Sequence, residues 1–283
     1  MIKGVGMKRF LVATVVGALI LGVTAAGASN AGQLDRPRQP NPMVVTDIQI
    51  PVKGQAPVTA YLVRPAHVDR SEKLAGALYL HWFAPPNSTQ NRTEFLAEAI
   101  ALAGRGAVAI LPQLTFPWEG DPIGDNSDRA KVTNQLAAVE AAYQALLRQD
   151  GVDPRRTAVI GHDYGAMYGS MLKSRAHALV FMAGDATWAN WFDKYWLGLP
   201  ADQAVAYRKV FTGLDPIDTV GRVKRVYFQW AGRDIFVSPE IRAAFSTANP
   251  KATVSLYETA EHFFNQQAKD DRLAWLTDQL DLR

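Results

Sequence analysis

Short apolar runs and one-faced helical segments alternate along most of this chain. From Ala75 the order is GALYLH, TEFLAEAIALAGRG, AVAIL, AKVTNQLAAVEAAYQALLRQ, TAVIG, GAMYGSMLKSR and ALVFMAG, with RVYFQWAG and TVSLYE further on. From about Asp128 to Gln149, residues Val132, Leu136, Val139, Tyr143 and Leu146 share one face and Gly151 follows, a pattern that predicts an amphipathic helix. Continuous apolar strands between such helices predict an α/β fold with a mostly parallel sheet covered on both faces. Ahead of it, Met43 to Val52 and Val58 to Val63 flank Lys53-Gly54-Gln55, which predicts antiparallel strands at the N-terminal edge of the sheet. No internal repeat is present.

The stretch between Gly184 and Arg225 is too long for a simple crossover, so residues 185–222 are expected to form a short helical insertion acting as a partial lid. Within it, Trp188, Trp191, Phe192, Tyr195 and Trp196 fall at i, i+3, i+4, i+7 and i+8, one aromatic helix face. That face either docks on the domain or also roofs an apolar pocket, for which Trp188 and Tyr195 are candidate wall residues. Trp118, at the end of another strand in TFPWEG, is a third. Asp121, Asp125 and Asp128 lack the glycine and terminal glutamate of a calcium loop and read as a solvated loop at the pocket edge.

Parallel sheets gather ligands at the carboxyl ends of their strands. The TAVIG run ends at Gly161-His162-Asp163-Tyr164-Gly165 and a helix begins at once, so Asp163 is expected at a sharp, strained corner where neighbouring side chains would clash and glycine relieves them. The RVYFQWAG run is followed by Arg233-Asp234, and TVSLYE by Thr259-Ala260-Glu261-His262. Five histidines narrow the search for a general base. His67 lies in a polar turn, and His177 precedes a strand. His162 sits inside the corner and should point away from the mouth. His81 ends the GALYLH run and could line the pocket, beside a loop placed to supply backbone donors. His262 remains, in the loop after the last strand. The order is then Asp163, Asp234, His262: nucleophile, acid, histidine.

Composition narrows the setting. Lys3, Lys8 and Arg9 precede the apolar stretch Phe10 to Val23 and the small residues Ala25 to Ala28, the layout of a secretory signal peptide over residues 1–28. The stretch is shorter than the roughly 20 residues a membrane span needs, so no stable membrane anchor is expected after cleavage, and the mature chain is expected to be secreted or periplasmic. Residues 29–42 are polar and proline-rich and read as a linker to a single domain over 43–283. The formal charge is +3, and the first 28 residues hold three basic and no acidic side chains, leaving 3 − 3 = 0 for the rest. No nucleic-acid partner is implied. Cysteine is absent, which removes thiol nucleophiles, thiolate metal sites and disulfides. No His-Glu-x-x-His or Gly-rich nucleotide motif is present, so no metal or other cofactor is expected, and a small molecule is the expected partner.

Four pieces in order carry a resemblance over about residues 43–283: LYLHWFAPP, VDPRRTAVIGHDYGA, QWAGRDIFVSPE and LYETAEHFF. Together they resemble the α/β-hydrolase superfamily, most closely its dienelactone-hydrolase-like branch with a small lid, and match in turn its oxyanion loop, nucleophile elbow, acid loop and histidine loop. Aspartate in the elbow is similar to epoxide hydrolases and haloalkane dehalogenases. That resemblance implies that Asp163 attacks an sp3 carbon to form an ester, His262 activates the water that cleaves it, and Asp234 orients the imidazole. It also implies that backbone N–H groups of Trp82 or Phe83 and of Tyr164 hold the oxyanion. The chain departs from the dehalogenases in carrying Tyr164 where tryptophan helps bind halide, and in lacking asparagine at 82–83. It departs from epoxide hydrolases in its short insertion, in which Tyr195 and Tyr207 are the candidates for ring-opening tyrosines. The expected substrate is a small apolar epoxide, lactone, ester or alkyl halide; the alternative is a catalytically silent binding protein on the same fold.

Overall fold

The computed structural model describes residues 42–68, 72–82, 91–172 and 176–282. The expected signal peptide, nearly all of the expected linker, and Phe83 lie outside the described residues.

Among the described residues, eight strands form one sheet: β1 (Met43–Ile50), β2 (Val58–Pro65), β3 (Leu74–Leu80), β4 (Ala107–Pro112), β5 (Val152–His162), β6 (Ala178–Met182), β7 (Val226–Ala231) and β8 (Thr253–Tyr257). Their order is β1-β2-β4-β3-β5-β6-β7-β8, antiparallel from β1 to β4 and parallel from β4 to β8. The expected parallel sheet with an antiparallel N-terminal edge is therefore present.

The inner strands β3, β4, β6 and β7 are buried along their whole length because both faces are covered, while the edge strands β1 and β8 are largely exposed. In β3, Leu74, Leu78 and Leu80 join one core with α2 (Asn126–Leu147) and α3 (Tyr164–Ser170), while Ala75, Ala77 and Tyr79 join another with α1 (Leu96–Ala103) and the C-terminal helix Gln266–Gln279. The period-two alternation of a strand thus divides one apolar run between two helical layers. On α2, Val132, Val139, Tyr143 and Leu146 are buried as the spacing required. The helix starts two residues earlier than expected, because Asp125 caps it by accepting the Ser127 N–H at 2.7 Å.

The 185–222 segment holds α4 (Trp188–Phe192), a wide turn over Asp193–Leu197, α5 (Ala201–Val210) and α6 (Pro216–Val220). Its aromatic face docks. Trp188, Trp191 and Phe192 are buried, and Tyr195 and Trp196 pack partly buried against the same core. The helix widens after Phe192 and ends at Gly198, whose φ of 60° is the left-handed conformation glycine adopts without strain.

Candidate active site

Asp163 stands between the end of β5 and the start of α3 at φ 54° and ψ −125°, a conformation that costs a side-chain-bearing residue energy. Two backbone bonds hold it there: its N–H donates to the Met182 carbonyl at 2.8 Å and its carbonyl accepts from the Met167 N–H at 3.1 Å. The flanking glycines are required by close approach. A Cβ on Gly161 would lie 2.5 Å from the Ala166 Cα, and one on Gly165 would overlap the carbonyl oxygens of Leu80 and His81. Since those neighbours are backbone and cannot swing aside, Gly165→Ala should lower stability by about 3 kcal/mol or more, readable as an earlier midpoint in urea unfolding. A variant as stable as the parent would refute this packing.

The three strand-end residues singled out by sequence meet. His262 Nε2 lies 3.3 Å from Asp163 Oδ2, and His262 Nδ1 lies 3.0 Å from Asp234 Oδ2. The first contact is an ion-pair approach and not an aligned hydrogen bond, and the second is a hydrogen bond. Asp234 Oδ1 accepts from the N–H groups of Phe236 at 2.8 Å and Val237 at 3.3 Å, which fixes the acid loop. Asp163 and His262 are each 3% exposed, and Asp163 Oδ1 has no hydrogen-bond partner among the described residues. One carboxylate oxygen thus faces the base and the other is unengaged.

The electrostatics follow from burial and from two carboxylates sharing one imidazole. Burial pulls His262 down, but Asp163 and Asp234 outweigh it and push the imidazole up to about 9. Burial pushes Asp163 above the ordinary carboxylate value, against the opposing pull of His262. Burial also raises Asp234, yet the hydrogen bond and charge of His262, with the Phe236 and Val237 N–H groups, leave it below that value. At neutral pH the imidazole carries a proton, and of the two carboxyl groups beside it Asp163 is the first to be neutralised as pH falls.

Two residues that sequence reasoning did not select lie behind this triad. Glu94 is an exposed residue whose carboxyl end turns inward. Its Oε1 lies 2.6 Å from His162 Nδ1, and its Oε2 accepts the Trp82 N–H at 2.9 Å. His162 Nε2 lies 2.9 Å from the carbonyl oxygen of His262. Both ring nitrogens of His162 are therefore engaged by Glu94 and the His262 carbonyl, which ties it to the backbone of His262. Burial pushes Glu94 up to about 8, and burial followed by the charge of His262 pulls His162 down to about 3. The shared proton then belongs to Glu94, whose O–H donates to Nδ1, while Nε2–H donates to the His262 carbonyl.

That arrangement corrects one expected oxyanion donor. The Trp82 N–H is consumed by Glu94, and the Trp82 carbonyl accepts from Trp118 Nε1 at 3.1 Å, so this peptide is clamped at both ends. Tyr164 remains: its N–H opens α3, where no intrahelical acceptor reaches. Its side chain is buried in the core.

The expected pocket walls sort differently. His81 is buried, with Nε2 accepting the Leu114 N–H at 2.8 Å and Nδ1 3.2 Å from the Tyr164 hydroxyl, so it braces the elbow and is not a pocket wall. Trp188 is fully buried, its ring 4.6 Å from that of Tyr168, and is core. Trp118 is partly buried between Tyr164 and Trp196 and supports Trp82. Tyr195 packs on Phe236, which itself lies 4.8 Å from the His262 ring, and its hydroxyl donates to the Phe236 carbonyl at 2.9 Å. Tyr207 donates to Asp128 Oδ2 at 2.7 Å, which removes it as a ring-opening acid. Asp128 is fully buried and also accepts the N–H groups of Ile123 and Gly124, so this part of the 121–128 loop is anchored rather than solvated. A groove of about 460 Å³ between Gln55, Gln113 and Gln135 is lined by none of the triad residues.

No protein-family model matches the chain, and no curated protein matches it by sequence. Solved structures do. A protein from Klebsiella pneumoniae assigned as a dienelactone hydrolase aligns with TM-score 0.60 at 17% identity, over 85% of this chain and 99% of its own. Acetyl xylan esterase from Paenibacillus sp. R4 aligns with TM-score 0.66 at 15% identity, over 87% of this chain and 86% of its own. Prolyl oligopeptidase B from Galerina marginata aligns with TM-score 0.63 at 16% identity, over 85% of this chain but 37% of its own length. At such identities the likeness establishes the fold, the α/β-hydrolase fold expected from the four motifs.

Proposed function

We propose that this chain is a hydrolase in which Asp163 is the nucleophile, His262 the acid and base, and Asp234 the group that orients and charges the imidazole. The observation that carries the reading is the line from Asp163 Oδ2 through the His262 ring to Asp234 Oδ2, at 3.3 and 3.0 Å, behind a strained corner. A catalytically silent fold has no need to keep that line or the strain.

The protonation state gives the steps. In the resting site Asp163 is a carboxylate and His262 an imidazolium. Asp163 attacks an sp3 carbon of the substrate, the carbon–oxygen bond of an epoxide breaks, and the released oxygen takes the His262 proton. What remains is an alkyl ester on Asp163 beside a neutral imidazole, no longer held charged by that carboxylate. Water then attacks the ester carbonyl, His262 takes its proton, and the Tyr164 N–H receives the oxyanion. Collapse expels the alkoxide, which recovers the proton from His262. The regenerated carboxylic acid returns its own to the imidazole. Epoxide plus water gives a diol and the site is restored. An ester cleaved at its alkyl–oxygen bond releases a carboxylate, and a lactone keeps its carboxylate tethered, so neither needs a proton in the first step. His262 then gives its proton to solvent before it takes one from the attacking water, and the net reaction releases one proton.

The pH dependence has a definite sign. The imidazolium is present at neutral pH and lost as pH rises through about 9, and the Asp163 carboxylate is lost as pH falls through a value raised above 3.8. kcat/KM for a terminal epoxide should therefore be bell-shaped, with the alkaline limb near 9. A rate that climbs through that region would show that neutral imidazole acts first and that this sequence of steps is wrong. The assignment itself is tested by assaying terminal epoxides, lactones, short esters and haloalkanes with the parent protein and Asp163→Ala. At least one class should turn over, and the variant should lose roughly a thousandfold or more. Retained turnover in Asp163→Ala removes aspartate from the nucleophile's role.

A further inference from the structure

Among the described residues, the two most exposed large apolar side chains are Ile235 and Phe263, 81% and 63% exposed. Each directly follows a member of the triad, Asp234 or His262. Isolated exposed apolar side chains need no explanation, but these two continue into the walls of one imidazole. After Ile235 comes Phe236, whose ring lies 4.8 Å from that of His262. Phe263 meets the Trp82 ring edge to face at 5.0 Å, and Trp82 lies 5.1 Å from His262. The neighbouring Arg233 and Glu261 are exposed and charged. Phe236, Trp82 and Phe263 thus form a chain of rings around the imidazole, and Ile235 adjoins that chain in sequence next to Phe236, with charged residues at its border, the layout of surfaces that take up an apolar partner.

We infer that Ile235 and Phe263 form an apolar lip that binds the hydrocarbon tail of the substrate outside the enclosed reaction centre, so the substrate is a small electrophile carrying an alkyl or aryl tail. The inference rests on the triad reading. With Asp163 and His262 almost wholly buried, only a short reactive head reaches them, and whatever extends from it past the Trp82 and Phe236 rings emerges against Ile235 and Phe263. Covering side chains this exposed contributes binding in proportion to the apolar area removed from water, which favours long or aromatic tails over short or charged ones.

The test separates binding from chemistry. Straight-chain primary alcohols from butanol to decanol, which resemble a product and are inert, are titrated into the parent protein, Phe263→Ser, Ile235→Ser and the double variant. Affinity in the parent should rise about two- to fourfold per methylene once the chain reaches the lip. The rise should weaken in each single variant, flatten in the double variant, and return with Phe263→Leu. Both side chains are exposed, so melting temperatures should stay close to the parent's and exclude unfolding as the cause. Affinity independent of chain length in the parent, or an equal rise in the double variant, overturns the lip. The triad reading fails separately: a protein that shows the chain-length rise but forms no ester on Asp163 keeps the lip and loses the mechanism.

Discussion

In a His262→Gln variant, a benzylic halide or sulfonate should alkylate Asp163 once, after which turnover should stop. The leaving anion of such a probe needs no proton, so the first step does not require the imidazole. The second does, because the water that cleaves the ester must lose a proton to a base beside Asp163, and His262 Nε2, at 3.3 Å from Oδ2, is placed for that. Removing a positioned general base costs roughly a hundred- to ten-thousandfold, enough for the alkylated protein to accumulate and be mapped to Asp163 by peptide mass. Glutamine also takes away the positive charge between two buried carboxylates. Leaving that charge pattern unbalanced should cost about 3–5 kcal/mol and make Asp163 easier to protonate, so the labelling belongs in mildly alkaline buffer. Continued turnover, or a variant that folds but takes up no label, would contradict the division of labour between the two residues.

The second large effect is expected at Glu94, which touches no triad side chain. In Glu94→Ala the Trp82 N–H and His162 Nδ1 both lose their partner inside the protein, at about 1–3 kcal/mol each. The tie from His162 to the His262 carbonyl then loses its orientation. Since displacements of about 1 Å at reacting atoms cost up to a hundredfold, kcat should fall roughly 10- to 100-fold, while KM changes less. Glu94→Gln should restore most of both losses. With the proton on Glu94, the amide oxygen replaces the acceptor for Trp82 and the amide NH2 replaces the donor to His162 Nδ1. If glutamine is as damaging as alanine, the pair is instead a carboxylate and an imidazolium, and the assignment of the proton is wrong.

These two residues mark the boundary of what the chain discloses by itself. The sheet was legible because its information is local: runs such as GALYLH and TAVIG are apolar throughout, and α2 repeats its apolar face every turn. That Asp163, Asp234 and His262 come together was legible because each lies within a few residues of the end of such a run, at the end of the sheet where sites form. Glu94 and His162 were not, since they are 68 positions apart and nothing in TEFLAEAI distinguishes an inward-turned carboxyl from a solvated one. The same distance problem misdirected the reading of polar side chains. Tyr207 offered a hydroxyl in the right segment, but its partner Asp128 lies 79 residues away. His81 stood at a strand end like His262, and only the fold shows both its ring nitrogens engaged by Leu114 and Tyr164. For the aromatic face, spacing gave the side that is buried, while the choice between core and pocket for Trp188 depended on Tyr168 and Met171 lying beneath it.

The central claim is that Asp163 itself forms the covalent bond, and a single turnover in heavy-oxygen water tests it most directly. Water attacks the enzyme's ester carbonyl, so one heavy oxygen should enter the Asp163 carboxylate, and the peptide carrying Asp163 should gain its mass. The first-turnover product should carry the unlabelled oxygen that Asp163 gave up. Turnover with the heavy oxygen in the product and none in Asp163 would mean that water attacks the substrate directly and that Asp163 is not the nucleophile.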